Sequence, residues 1–293
     1  MASAEKPDRR VGLVTGGGRG TGAKIALYLA RANYQKGATL VGDPKAAKRD
    51  YDPFDVAVGH QREDAAPKAA RVVKAIEESG RRAIALRGDL VIPDQRIAVV
   101  RGLGEWAGKA VGLVVYNHAA GMGEDVPPDY GDQVNYEATL ALLDELVPEL
   151  DENATFVTVG SSWSELYPDL APPTTEGPMA EYDNRISRTK KKAADTLEVE
   201  IPRVLPNARQ LRFGIGIIED TAMGRSIRAN YPEFFEAHRD LENVVQTDEV
   251  ALRIAEAVND PSLPHGAKIW VGAEPGILLE KFPRKIMPEE EGV

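Results

Sequence analysis

Short apolar runs alternate with longer amphipathic segments along most of the chain. Residues 11–14 are an apolar strand-like run, and 23–31 follow with helical character. Residues 54–58 (Phe-Asp-Val-Ala-Val) predict a second strand. They lead into a helix over 65–79, where Val72, Val73 and Ile76 share one face and Gly80 is the stop. Residues 38–41 are a competing second strand, but they do not run directly into a helix as 54–58 do. A strand over 82–86, a helix over 94–107 and a nearly all-apolar strand over 111–116 complete the first half. Such an unbroken apolar strand suits a parallel sheet buried on both faces. In the second half, Leu140, Leu143 and Val147 recur at helical spacing within 134–150, and 155–159 reads as strand. A helix over 190–201 ends at Pro202, a strand runs over 209–218, a helix over 248–258 and a last strand over 267–271. Repeated strand–helix units with short links predict an α/β fold, a doubly wound Rossmann-type sheet that is mostly parallel. The expectation is a single domain over 1–293 with insertions at about 34–52, 163–183 and 220–243, the last two forming a lid on the substrate side.

Composition narrows the chemistry. The 293 residues carry a formal net charge of −10, which argues against a nucleic-acid or anionic-membrane partner. There is no cysteine, so disulfides, thiol catalysis and cysteine-ligated metal are excluded. The four histidines, His60, His118, His238 and His265, show no metal-ligand spacing, and no metal is expected. Residues 1–10 are polar and charged rather than signal-like, so a soluble cytoplasmic protein is expected.

One turn changes the picture more than the composition does. Thr15, Gly16, Gly17, Gly18, Arg19, Gly20, Thr21 and Gly22 lie between the first strand and the first helix. Glycines there let the backbone approach a diphosphate, whose charge the free helix N–H groups and dipole then hold. The end of the second strand bears on which dinucleotide binds. An acid there would bind the ribose hydroxyls of NAD. After 54–58 come Gly59, His60, Gln61 and Arg62, with no acid. Arg19 and Arg62 can pair with a 2′-phosphate instead, so NADP (NADPH) is the expected cofactor. Under the competing strand, Asp43 would restore the acid and NAD.

The ordered motifs resemble the short-chain dehydrogenase/reductase family over the whole chain. The spacing TGxxxGxG at 15–22 is that family's. Asp89 and Leu90 stand where its acid contacts adenine, and Asn117-His118-Ala119-Ala120 where it has NNAG. Residues 135–144 resemble the NVxGTxNLLE helix of its extended branch, with Asn135 at the helix-four asparagine. Residues 156–162 resemble the strand that ends in the catalytic serine or threonine; one register favours Ser161, another Ser162. Leu211-Arg212-Phe213-Gly214 resembles its LRPG strand.

The departure falls on the catalytic tyrosine. Residues 186–195 (Ile-Ser-Arg-Thr-Lys-Lys-Lys-Ala-Ala-Asp) fit Yxx(S/T)KxxAE with Ile186 in the tyrosine position and Lys190 as the lysine. A shifted register using Lys191 puts Ser187 there. In the family, the lysine holds the nicotinamide ribose and lowers the tyrosine pKa; isoleucine cannot exchange a proton. Hydride transfer itself needs only a cofactor held against the carbonyl carbon. The proton would then come from water, Tyr182, Tyr167 or a hydroxyl on the substrate, with His118 as a further candidate. The resemblance implies an NADPH-dependent ketoreductase acting on a small-molecule ketone. Aromatic residues such as Trp163, Tyr167, Tyr231, Phe234 and Phe235 suggest a bulky, flat, polyketide-type substrate. A homo-oligomer is compatible with this reading. A nucleotide-sugar epimerase or dehydratase and a non-catalytic NADP-binding sensor remain alternatives.

Overall fold

The computed structural model describes residues 10–30, 52–108, 110–119, 127, 129–167, 169 and 186–282. Seven strands form one sheet: β1 (Arg10–Val14), β2 (Phe54–His60), β3 (Ala83–Arg87), β4 (Val111–Tyr116), β5 (Leu150–Ser161), β6 (Arg209–Ile215) and β9 (Ala267–Val271). Their order is β3-β2-β1-β4-β5-β6-β9, and every pairing is parallel. Helices α1 (Gly20–Leu29), α2 (Ala66–Glu78) and α9 (Thr247–Val258) cover one face. Helices α3 (Pro93–Ala107), α4 (Ala138–Leu146) and α6 (Arg188–Val204) cover the other. Alternation along β1 shows why both faces are apolar. Val11 and Leu13 pack with the α3–α4–α6 layer, whereas Val14 packs with the α1–α2–α9 layer. The doubly wound reading of the sequence is the fold observed. Strand order reverses between β1 and β4, and the crevice at their carboxyl ends is where such sheets bind ligands.

Four elements differ locally from the sequence reading. The helix expected over 134–150 opens with a wider π turn at Asp132–Glu137 and closes with a 3₁₀ turn at Val147–Glu149. β5 starts five residues earlier than the apolar pattern indicated, because Leu150 pairs with Val111 across a register shift. Pro202 does not end α6; it sits inside the last turn. A proline there leaves the carbonyl four residues back without its helical donor, and His265 Nε2 takes that Glu198 carbonyl at 2.8 Å. Beyond β6, Gly216 breaks the strand. Ile217–Ile218 (β7) then pairs with Val244–Val245 (β8) below α7 (Ala222–Asn230) and α8 (Pro232–Asp240). A short α10 (Pro275–Lys281) closes the described chain. The competing strand at 38–41, Asp43 and most of the 34–52 and 163–183 insertions lie outside the described residues.

Candidate functional site

The glycine loop forms a cradle at the β1/β4 crevice. Gly16 and Gly20 have φ of +64° and +54°, which side-chain-bearing residues rarely adopt. At Gly22 a Cβ would come within 2.4 Å of the Gly16 carbonyl oxygen and 2.5 Å of Asn117 Nδ2. The loop therefore folds tightly onto the end of β4, where Asn117 Nδ2 donates to the carbonyls of Thr15 (3.3 Å) and Gly16 (3.4 Å). Arg19 is the N-cap of α1 but makes no capping bond with its side chain. The first N–H groups of that helix thus suit an anion, and the cradle fits a dinucleotide diphosphate.

At the end of β2, His60 is buried and its Nδ1 lies 3.2 Å from the Arg62 carbonyl. Arg62 is exposed and pairs with Asp64 at 2.8 Å. Hydrogen bonding to Arg62 holds the Asp64 carboxyl below its usual range, with weaker support from Lys68 and Arg19. Arg62 is the cation in contact with this carboxylate, four residues beyond the end of β2. Asp89 is already engaged: its carboxylate accepts from Gln61 Nε2 (2.7 Å) and from the Val91 N–H (3.0 Å). The Leu90 carbonyl accepts from Arg96 (2.8 Å).

Lys190 stands one turn into α6, and its side chain reaches the sheet's carboxyl edge. Nζ donates to the carbonyls of His118 (2.7 Å) and Val159 (2.9 Å), at the ends of β4 and β5. Burial draws its pKa down to about 8. Lys191 pairs instead with Asp195 (2.9 Å), and Lys192 lies over the Tyr136 ring. Of the three lysines, the one at the motif position faces the crevice, and the shifted register does not fit this arrangement. Ile186 is buried in the turn before α6, its carbonyl accepting from Thr189 Oγ1 at 3.2 Å. Ser187 is also buried. Asn135 is buried and donates to Thr189 at 2.9 Å, tying the π turn to α6.

His118 is not placed to give up a proton. Its Nε2 lies 3.2 Å from the Val134 carbonyl, which can only accept, so Nε2 carries the hydrogen. Nδ1 lies 2.8 Å from Thr15 Oγ1, whose hydroxyl also lies 3.0 Å from the Val115 carbonyl. Burial, with Lys190 nearby, pushes the pKa to about 3, so the ring is neutral. Ala119 follows it on the exposed side.

The two serines differ. Ser161 is the N-cap of the four-residue helix α5 (Ser162–Glu165): its Oγ accepts from the Ser164 N–H at 3.2 Å. It also lies 3.2 Å from Ser164 Oγ. If Ser164 is the donor in that pair, the Ser161 hydroxyl is left with its own hydrogen for a ligand. Ser162 is 1% exposed and turned into the interior. The aromatic residues expected to line a pocket for a flat ligand mostly pack. Trp163 is buried with Phe234 and Phe282 around His238, and Phe235 is fully buried beside Ile217 and Ile227. Tyr182 lies outside the described residues.

Sequence reasoning missed a buried charge network beside the site. Arg212 on β6, 2% exposed in its side chain, meets Glu165 (2.8 Å), Asp195 (2.8 Å) and Glu198 (2.7 Å). The signal was present: an arginine between Leu211 and Phe213 in a buried strand requires carboxylates.

No protein-family model and no curated protein matches this sequence. Solved structures do. A short-chain dehydrogenase from Burkholderia cenocepacia J2315 in complex with NADP is 23% identical, with a TM-score of 0.65 over 91% of this chain and 98% of that one. The angucycline C-6 ketoreductase LanV with bound NADP is 22% identical (TM-score 0.65, covering 89% and 93%). A 7α-hydroxysteroid dehydrogenase complexed with NADH and 7-oxo glycochenodeoxycholic acid is 21% identical (0.66, 91% and 95%). The fold is that of the short-chain dehydrogenases and reductases. Among the described residues no helix is long and apolar enough to cross a membrane, and no His/Cys/Asp/Glu cluster could hold a metal ion.

Proposed function

We propose that the chain is an NADPH-dependent ketoreductase that works without the tyrosine usual to this fold. The observation that carries the reading is Lys190, whose ammonium spans the ends of β4 and β5 beside a glycine cradle shaped for a diphosphate. When bound, reduced nicotinamide supplies the hydride. The chain's own groups divide the remaining work: the loop at 15–22 and Asn117 hold the diphosphate region, Lys190 the nicotinamide ribose, and Ser161 the substrate carbonyl oxygen. An epimerase or dehydratase would need the tyrosine as base, and Ile186 cannot serve.

The fold is shared by structures holding NADP and NADH, so the preference for NADPH rests on this chain's own residues. Arg62 pairs with Asp64, Lys68 and Arg19 bear weakly on the same carboxylate, and β2 itself ends at His60 with no acid to bind ribose hydroxyls. A bulky aromatic ketone of the polyketide type is the substrate class we favour, in line with the neighbour described as an angucycline ketoreductase. Fluorescence titration tests the cofactor: NADPH should bind more tightly than NADH, and Arg19→Ala or Arg62→Ala should narrow the gap. Asp64→Asn should widen it, since the phosphate would no longer compete with a carboxylate for Arg62. Equal affinities, or consumption of NADPH with no ketone from aromatic, decalone and steroid classes, would refute the reading.

A further inference from the structure

We infer that Lys190 is itself the acid of the reaction, giving its proton to the reduced carbonyl oxygen in place of a tyrosine. This rests on the reductase reading above. The carbonyl carbon gains the hydride supplied by reduced nicotinamide, and the C=O π pair moves onto oxygen. That oxygen takes a proton from Nζ, directly or through one water. The products are the alcohol, the oxidised cofactor and a neutral amine, and the amine regains its proton from solvent.

The geometry supports this through what surrounds Nζ. Two of its three hydrogens go to the His118 and Val159 carbonyls. Both are neutral acceptors at strand ends, so they aim the ammonium without fixing its charge as a carboxylate would. The third hydrogen has no partner among the described residues. Lys190 also lines a cavity of about 20 Å³, the size of one water, together with Tyr116, His118, Asn135, Thr139 and Glu165 among others.

The other titratable groups that line this cavity or neighbour Lys190 on its helix are committed elsewhere. From β4, His118 is neutral with its N–H on Val134, and Tyr116 is a buried phenol held well above its usual pKa by that burial and by Asp144. From α5, Glu165 is paired with Arg212. On α6 itself, Lys191 is paired with Asp195, and Lys192 lies within 4.0 Å of Asp132. Asn135 and Thr139 do not titrate. Lys190 alone is a cationic acid with no carboxylate, and burial brings it to about 8. General acids work best when their pKa lies near the working pH.

The experiment separates the acid from the charge. Lys190→Arg keeps a cation for the ribose but cannot release a proton near neutrality. With NADPH and trans-1-decalone, or whichever ketone the wild type turns over fastest, the variant should lose about 10²–10⁴-fold in kcat. NADPH binding should change only a few-fold. In the wild type, kcat/KM should fall as pH rises through about 8, since the protonated form is the active one, and the variant should lack that limb. The chain has no cysteine, so Lys190→Cys introduces its only thiol. Aminoethylation of that thiol restores an amine that is a weaker base than lysine. Activity should return, with the limb moved to lower pH.

A readout independent of turnover is the 13Cε lysine spectrum of the cofactor-free protein. The resonance missing in Lys190→Arg should titrate near 8. Turnover of Lys190→Arg close to wild type, or a lysine midpoint above 10, overturns the inference while leaving the reductase reading in place. A wild type that oxidises NADPH with no ketone overturns both.

Discussion

Two buried cations meet helix α6, one carried by it and one held against it, and the contrast between them separates structure from chemistry. Arg212 is enclosed by Glu165, Asp195 and Glu198. Burial opposes its charge, but the carboxylates outweigh burial and the net shift is upward. Lys190 is held by main-chain carbonyls only, and burial alone sets its direction, downward to about 8. One cation is locked in its charged form and bolts α5 and α6 to β6. The other is left close to giving up its proton, on the helix that the first one anchors. A buried group with a carboxylate partner is the ordinary structural case; a buried lysine without one is the candidate for chemistry.

The comparison breaks first at Arg212. Arg212→Met removes the cation and leaves Glu165, 2% exposed in its side chain, as a buried carboxylate without its partner. Breaking one side of such a pair costs about 3–5 kcal/mol. The denaturant midpoint should fall accordingly, and Glu165→Gln in the same background should recover part of the loss. A loss below about 1 kcal/mol would mean that the network contributes little and that α6 is anchored elsewhere.

Much of this was legible along the chain, and the reasons differ by region. The strands, α2 and the loop at 15–22 are local: alternation, periodicity and glycine spacing are written within a few residues of each other. Lys190 was legible because its motif lies within ten residues. The Arg212 network was not, since Glu165 lies 47 positions away and only the fold brings it near. The same holds for His238, which is fully buried and bonded to Asn243 at 2.8 Å, while its ring stacks on Phe282 across more than forty residues. Trp163 and Phe235 are buried in the fold and Phe234 is partly buried, a distinction that the sequence does not carry. Hydrophobic size predicts burial but does not tell a ligand pocket from a packed lid.

A smaller effect sharpens the Lys190 side. Its folded-state pKa of about 8 lies below the usual 10.5. Between those values the unfolded chain binds more protons than the folded one, so this group's contribution makes stability rise with pH across that window. Below about 8 the full penalty of a buried charge is present. Lys190→Met loses two hydrogen bonds, a cost nearly independent of pH, but also removes that penalty. The stability of Lys190→Met relative to wild type should therefore be more favourable at pH 7 than above 10.5. The difference is up to ~3 kcal/mol, at about 1.4 kcal/mol per pKa unit. Urea melts at a series of pH values measure it. Parallel stability curves for the two proteins would show that Lys190 is not under strain, and the contrast with Arg212 would lose its meaning.

The smallest expected effect is on the tyrosines. If the proton leaves from Lys190, a phenol brought in from a loop is unnecessary. Tyr167 follows α5, with its N–H 3.4 Å from the Ser164 carbonyl, and Ile186 occupies the position a motif tyrosine would hold four residues before Lys190. Tyr182 is four residues further back and has no lysine at that spacing. Tyr167→Phe and Tyr182→Phe should each retain turnover within a few-fold of wild type and keep the alkaline limb near pH 8. Removing a general acid costs about 10²–10⁴-fold, so the two outcomes do not overlap. A loss of that size in either variant, with the limb displaced, would relocate the acid to that tyrosine. Lys190 would then be a ribose-holding cation, and its lowered pKa a consequence of burial without a part in proton transfer.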